Sequence, residues 1–392
     1  MVTEVCSIVN KRLQTKLLIL FVIVLSSCSG RKCGSNGEDN AISNITIVES
    51  PSYYHFMVEN SGSMKGYFKG NSRAKEILKN LYDRLDEQLN VDSGDTITLN
   101  YINTEIVSFN GGIEPFLQQI WSKCTASFTK LDDILSMAFA EAKSESVTLL
   151  VSDYCFASNV GNLETAKSGI TNLLTKGLKE NPELSIAILK FNSDFDGKYY
   201  PGGLPCNQSL PFYVWFFGDA SKVKKVIELP NIVNDGMLVL QSTKSVIPEI
   251  CTKNARMKGE SVGSVKVKEW DKDRHGDSYT LMYKFDVSDI IVGKESILNY
   301  DAYKLPSGYT ISNIEMKDNM CIMSIKTNHP SPGKLCIEYQ SKFPQWVEDS
   351  DYEGVGIPSE GKTLGIKSLI EGVYNAYSNK DKNIFTINIT LQ

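Results

Sequence analysis

Glu59-Asn60-Ser61-Gly62-Ser63 places a carboxylate and two hydroxyls on alternate positions of one short segment. Side chains at i, i+2 and i+4 of an extended turn can converge on a single point. Oxygen donors without histidine or thiolate suit the hard divalent cations Mg²⁺, Mn²⁺ and Ca²⁺ better than zinc. Directly upstream, Tyr53–Val58 is a mostly apolar run without polar alternation. Such a run reads as a central strand of a parallel sheet, buried on both faces, which delivers the donors to the strand's carboxyl end. A plainer account also stands, since Ser-Gly-Ser after a strand is a common turn.

Other chemistry is poorly supplied. The three histidines, His55, His275 and His329, form no HExxH or His-x-His arrangement. No G-x-S-x-G elbow surrounds Ser61 or Ser63, and Met64 stands where a Ser-x-x-Lys pair based on Ser61 needs lysine. Gly356-Ile-Pro-Ser-Glu-Gly361-Lys362-Thr363 satisfies the P-loop pattern, and a helical pattern follows it. A P-loop, however, needs a buried strand feeding it, and the upstream Trp346–Gly354 is acidic rather than strand-like. This argues against a nucleotide partner and for a polar loop before a helix.

The stretch at 59–63 resembles the metal-ion-dependent adhesion site of von Willebrand factor A (vWA) domains, Asp-x-Ser-x-Ser at the end of the first strand. Glu59 departs from that pattern. Two further segments extend the resemblance. Thr129, in Phe128-Thr129-Lys130-Leu131-Asp132-Asp133, matches the threonine that precedes a helix, and Asp153, in Leu149-Leu150-Val151-Ser152-Asp153, matches the aspartate ending the fourth strand. Without the resemblance, Thr129 and Asp153 would serve as helix caps. With it, Glu59, Ser61, Ser63, Thr129 and Asp153 are expected to gather around a divalent metal. The family also implies a non-enzymatic role in which an acidic side chain of a protein partner completes the metal's coordination.

The elements needed to position these residues follow in order. Ala74, Ile77, Leu78, Leu81, Tyr82, Leu85 and Leu89 recur at helical spacing. Short strands are expected at 95–101 and 105–109, helices at 115–122 and 130–142, and a buried strand at 147–151. A helix near 162–180, strands at 184–191 and 212–217 and a helix near 219–227 complete this part. Strands alternating with helices predict an α/β fold, a doubly wound and mostly parallel sheet spanning residues 47–230. Asn192–Leu210 reads as a long loop on the donor-bearing edge, with Tyr199 and Tyr200 as exposed contact residues. Tyr154-Cys155-Phe156 lies on the same edge.

Residues 231–262 are a linker or unassigned. Over 263–392, alternating runs at 279–287, 309–316, 320–327 and 334–341, with turns between them, suggest a smaller sandwich-like β-rich domain. It would hold one helix, with Ile366, Leu369, Ile370, Val373, Tyr374 and Tyr377 on one face, and a closing strand at 384–391. Cys321 and Cys336 are placed to face each other across neighbouring strands.

The N-terminus is read as a targeting segment. Lys11, Arg12 and Lys16 precede the apolar run 17–25, and Leu25-Ser26-Ser27-Cys28 resembles a lipoprotein lipobox, with Cys28 the lipid-bearing residue after removal of the signal peptide. Residues 29–46 then form a flexible tether. The residues after Cys28 are basic, matching neither an inner-membrane retention signal nor an acidic surface-export run. An outer-membrane anchor facing the periplasm is therefore expected. The net charge of −5 gives no electrostatic case for nucleic acid. Six cysteines fall beyond the tether, an even number that permits disulfides in an exported chain and is equally compatible with free thiols. Two alternatives to the binding module are a structural envelope lipoprotein with a vestigial, metal-free site and a hydrolase of unknown substrate.

Overall fold

Glu59 ends a strand that sits third in a seven-stranded mixed sheet, between two parallel neighbours. The computed structural model describes residues 52–89, 94–126, 131–142, 145–155, 163–200, 202–251, 264–265, 271–272, 277–340, 343–354, 356–377 and 383–391. Cys28, the tether and Thr129 lie outside the described residues. The strands are β1 (Tyr53–Glu59), β2 (Thr96–Ile102), β3 (Ile106–Phe109), β4 (Ser146–Ser152), β5 (Leu184–Tyr199), β6 (Leu204–Asp219) and β7 (Gly236–Leu240), in the order β3-β2-β1-β4-β6-β5-β7. β1 pairs in parallel with β2 and β4, while β3, β6 and β7 run antiparallel to their neighbours.

Both faces of this sheet are covered. On one, β1 contributes Tyr54, Phe56 and Val58 to a core shared with helices α1 (Arg73–Asp86), α2 (Ile113–Lys123) and α5 (Ala220–Ile227). On the other, Met57, Leu150, Trp215 and Ile188 meet α3 (Leu131–Glu141), α4 (Leu163–Glu180) and α6 (Ile366–Tyr377). The expected runs at 53–58 and 147–151 are mostly apolar for this reason: residues 147–151 and 56–58 are buried on both faces, and only the start of β1, at Tyr53 and His55, meets water.

The main departure from expectation lies at 184–219. The segment expected as two separate strands joined by a long loop is one hairpin of two sixteen-residue strands, β5 and β6, paired from Leu184↔Asp219 to Tyr199↔Leu204. Period-two burial explains why the far half extends. Phe191, Ser193, Phe195 and Tyr199 face inward on β5 while Asp194, Asp196 and Lys198 are exposed. Gly202 and Gly203, at φ 108° and 62°, supply the left-handed turn. β6 thereby enters between β4 and β5, and the sheet is mixed rather than mostly parallel. Tyr199 is buried, contrary to its expected exposure.

The later part of the chain builds a second core. One five-stranded sheet has strands 264–265, 383–391, 333–340 and 303–304 in order, with 244–246 beside 383–391. A second has 271–272, 279–286, 320–327 and 310–317, with 249–250 beside 279–286. Phe285 and Phe385 join the two sheets at a ring-centroid distance of 5.8 Å. Cys321 and Cys336 lie on different sheets, and the six cysteines of the described residues are free thiols. Residues 343–377 return to the first core, where Thr171 Oγ donates to the Gly372 carbonyl at 2.9 Å and α6 lies against α4. A Cβ on Gly372 would stand 2.8 Å from the Lys167 carbonyl oxygen, so glycine permits this close helix approach.

Candidate metal site

Two strand ends bring the expected donors together. β1 and β4 stay in register to Val58↔Val151, which leaves Glu59 and Ser152 opposed at the carboxyl edge. Beyond Glu59 the chain runs alongside the segment that follows α2. Ser61 forms a parallel bridge with Ala126, and Gly62 N–H donates to the Ala126 carbonyl at 2.8 Å. This pairing holds Ser61 against the 124–126 segment, but the expected extended run ends there: residues 62–63 turn and Ser63 has helical angles, φ −67° and ψ −40°, so the turn and not an extended strand brings Ser63 toward Ser61. Beyond Ser152 the backbone at Tyr154 takes a φ of 48°, unusual for a bulky residue. Tyr154 is held there by stacking on Trp215, with ring centroids 4.5 Å apart.

Glu59, Ser61 and Asp153 are 2%, 2% and 7% exposed, so the group is shielded from bulk water. Ser61 and Ser63 hydroxyls lie 2.9 Å apart. Ser63 also bonds the Asp153 carboxylate, which accepts the Cys155 N–H at 3.0 Å. The Asp153 N–H meets the Met64 sulfur at 3.1 Å. Ser152 donates its hydroxyl to Glu59. Burial, and next the negative charge of Glu59, push the Asp153 carboxyl up to about 7. Lys65, two residues beyond Ser63, is turned onto the Trp121 ring, 4.3 Å from its centroid.

Four of the five expected donors, Glu59, Ser61, Ser63 and Asp153, therefore occupy one buried cluster. Among the described residues no three His, Cys, Asp or Glu side chains gather in a form that could hold a metal ion. A cation here would depend on hydroxyls as much as on carboxylates. The donor set fits Mg²⁺, Mn²⁺ or Ca²⁺ chemically, being all oxygen with two carboxylates. Asn60, within the same segment, has a buried Oδ1 without a hydrogen-bond partner among the described residues, a further acceptor on the donor loop. No protein-family model, curated protein or solved structure matches this chain. The case for a cation rests on this geometry and on the residues themselves.

Sequence reasoning missed the covering of the site. The tip of the β5–β6 hairpin reaches both donor loops. The Tyr200 hydroxyl is 3.9 Å from where a Cβ on Gly62 would stand, and Cys155 Sγ donates to the Tyr200 carbonyl at 2.7 Å. The hairpin arm is fastened to the 64–74 segment. Tyr67 packs edge-on against Phe195, Lys69 pairs with Asp196 at 2.6 Å, and Asp194 and Ser193 accept the first N–H groups of α1 from Arg73 and Ala74. Ser72 itself makes no side-chain cap, so the arm performs that task from more than a hundred residues away. The signal for the arm was its period-two pattern ending in Pro-Gly-Gly.

The P-loop-like segment serves this arm from its other side. Gly361 N–H donates to the Ser209 carbonyl at 3.2 Å, Gln208 donates to the Pro358 carbonyl at 2.7 Å, and Thr363 meets the Tyr213 hydroxyl at 3.2 Å. The helix starts at Ile366, after a two-residue strand at Thr363–Leu364, rather than at the Lys-Thr pair. The Gly361 and Lys362 N–H groups and the Thr363 hydroxyl, which a phosphate would need, are thus bonded to protein.

Proposed function

We propose that this chain is a non-enzymatic binding module with a vWA-like fold, tethered to the outer membrane through Cys28 and facing the periplasm, whose divalent-cation site recognises a protein partner. The single observation that carries the proposal is the buried pair of carboxylates, Glu59 and Asp153, set beside the Ser61 and Ser63 hydroxyls at the ends of two neighbouring strands. A buried like-charged pair is costly, and a divalent ion relieves it while using every donor present. The parallel arrangement of β2, β1 and β4 with helices on both faces supports the vWA-like doubly wound reading, with β6 as an insertion. Thr129 would add a fifth oxygen. The bound ion would supply a positive centre for an acidic side chain of the partner; the chain's own residues hold that centre in place and exclude water.

A second reading, a structural envelope module with a metal-free site, is favoured by one observation. Ser152, Ser63 and the Cys155 N–H already satisfy part of both carboxylates. Calorimetric titration of the full-length chain with Mg²⁺, Mn²⁺ and Ca²⁺ separates the two. The proposal expects saturable binding that Asp153→Ala abolishes without changing the circular dichroism. A flat titration at millimolar concentrations would leave the structural reading. The anchor is tested by Cys28→Ser, which should yield unprocessed or soluble protein that takes up no fatty-acid label.

A further inference from the structure

A cavity of about 230 Å³ lies beside β7, the strand that ends the seven-stranded sheet. Leu238 belongs to the core on one face of that sheet and Val239 packs on the core of the other, yet both line the cavity. A space reached from both faces of one strand lies at the strand's edge, where its backbone is open. Lys190 directs its carbonyl to the Asp235 N–H at 2.8 Å, so the even-numbered residues of β5 bond toward β7. In the register Ile188↔Leu238 and Ala187↔Val239, Leu238 and Leu240 take up those bonds, and Met237 and Val239 turn their N–H and C=O outward. The Met237 carbonyl accepts the Trp346 indole N–H at 3.1 Å. The Val239 N–H and C=O meet no protein group among the described residues.

The remaining walls come from the second core and the segments beside it. Val292, Ala302, Tyr339, Pro344 and Ile384 supply mostly apolar surface, and among the described residues no charged side chain lines the space. We propose that this cavity binds a small neutral molecule carrying a hydrogen-bond donor and acceptor side by side, as a primary carboxamide does, which pair with the Val239 C=O and N–H while an apolar ring fills the rest. Strand edges recognise ligands through main-chain bonds of this kind, with the side-chain walls setting shape. A charged ligand would lose its hydration here without finding a counter-charge. A cavity of about 150 Å³ holds one benzene, so this one takes roughly nine non-hydrogen atoms, a ring and one amide but not an added strand. None of Glu59, Ser61, Ser63 and Asp153 lines it, so the inference stands apart from the cation site.

Three probes of equal size separate these requirements: benzamide, acetophenone, which keeps the acceptor and lacks the donor, and benzoate, which carries a charge. Each is titrated into the full-length protein and followed by ligand-observed NMR. Benzamide should saturate at about millimolar concentration, the range open to so small a ligand. Acetophenone should bind about tenfold more weakly, because it leaves the Val239 carbonyl unpaired, and benzoate should not saturate. Ser296 is exposed and lines the cavity, so Ser296→Trp places bulk at the opening without entering either core. That variant should lose benzamide by at least about tenfold with its circular dichroism unchanged. Should it fail to fold, the three titrations of the wild type decide alone. If benzamide does not saturate, if acetophenone or benzoate binds as well, or if folded Ser296→Trp binds as the wild type does, the inference falls.

Discussion

Ser152 donates its hydroxyl to the carboxylate of Glu59 across the ends of β1 and β4, and the Ser152 oxygen accepts the Tyr154 N–H at 2.9 Å. A glutamate at position 59 therefore fastens the two donor loops together besides facing the site. An aspartate there would fall short by about one carbon–carbon bond, roughly 1.5 Å. Glu59→Asp should release Ser152 and leave a shorter carboxylate beside the donor loop. Calorimetry is expected to show preference moving toward Mg²⁺, which demands tighter geometry, and away from the more accommodating Ca²⁺. Glu59→Gln keeps the acceptor for Ser152 but removes a charge, and should weaken every divalent ion by about tenfold, near 1.4 kcal/mol. Wild-type titrations from both variants would reduce Glu59 to a structural clasp.

Asp153 sets the pH dependence of the ion-free protein. Its folded-state pKa is raised to about 7 from an ordinary value of 3.8, by burial and then by Glu59. Between these values the folded chain holds a proton that the unfolded chain has released, so stability falls as pH rises through this window and levels off above it. The loss is on the order of a few kcal/mol. Urea denaturation of wild type and Asp153→Asn should show the decline only in the wild type. Ion binding must expel the same proton, so Mn²⁺ affinity should fall by about tenfold for each pH unit below about pH 7.

The sequence was most legible where burial is two-sided. Tyr53–Val58 and Val147–Val151 are mostly apolar because helices cover both faces, and the Glu59, Ser61, Ser63 and Asp153 cluster follows from their strand ends. It was least legible where partners are distant. The arm shows alternating polar and apolar residues, which fit a hairpin as well as a decorated loop until something is found for the inner face to pack against. That partner is Tyr67, more than a hundred residues upstream. The same holds for α6, whose apolar face fits any core and which lies on α4. Local pattern specifies a buried face, but not what buries it.

Lys190 is a lysine in a buried strand, 8% exposed, and the distant contacts explain it as well. Its ammonium donates to Ser350 Oγ at 2.7 Å and to the Gly361 carbonyl at 3.2 Å, bracing residues 350–361 against β5, and burial lowers its pKa. Lys190→Met preserves the stem and removes the donor. It should lower stability by about 1–3 kcal/mol, because the Gly361 carbonyl loses its charged partner. Urea unfolding is expected to show a lower midpoint at unchanged slope.

The contact between Gly66 and Gly197 allows a sharper test of how the arm is seated. A Cβ on Gly66 would lie 2.3 Å from the Phe195 ring, whereas a Cβ on Gly197 would lie 2.8 Å and 3.2 Å from the Cα and N of Gly66. The first clash is with a side chain and the second is with backbone. A smaller residue at 195 removes the first obstacle and leaves the second in place. Gly66→Ala and Gly197→Ala should each destabilise the protein by about 1–3 kcal/mol, the usual range for overpacking. In combination with Phe195→Leu, Gly66→Ala should recover part of its loss as a favourable coupling, while Gly197→Ala should lose nearly additively. Amide exchange should then report faster opening of residues 195–206 in Gly197→Ala alone or in the double variant. Equal rescue of both alanines by Phe195→Leu would mean that the ring, and not the approach of the two backbones, decides where the arm sits.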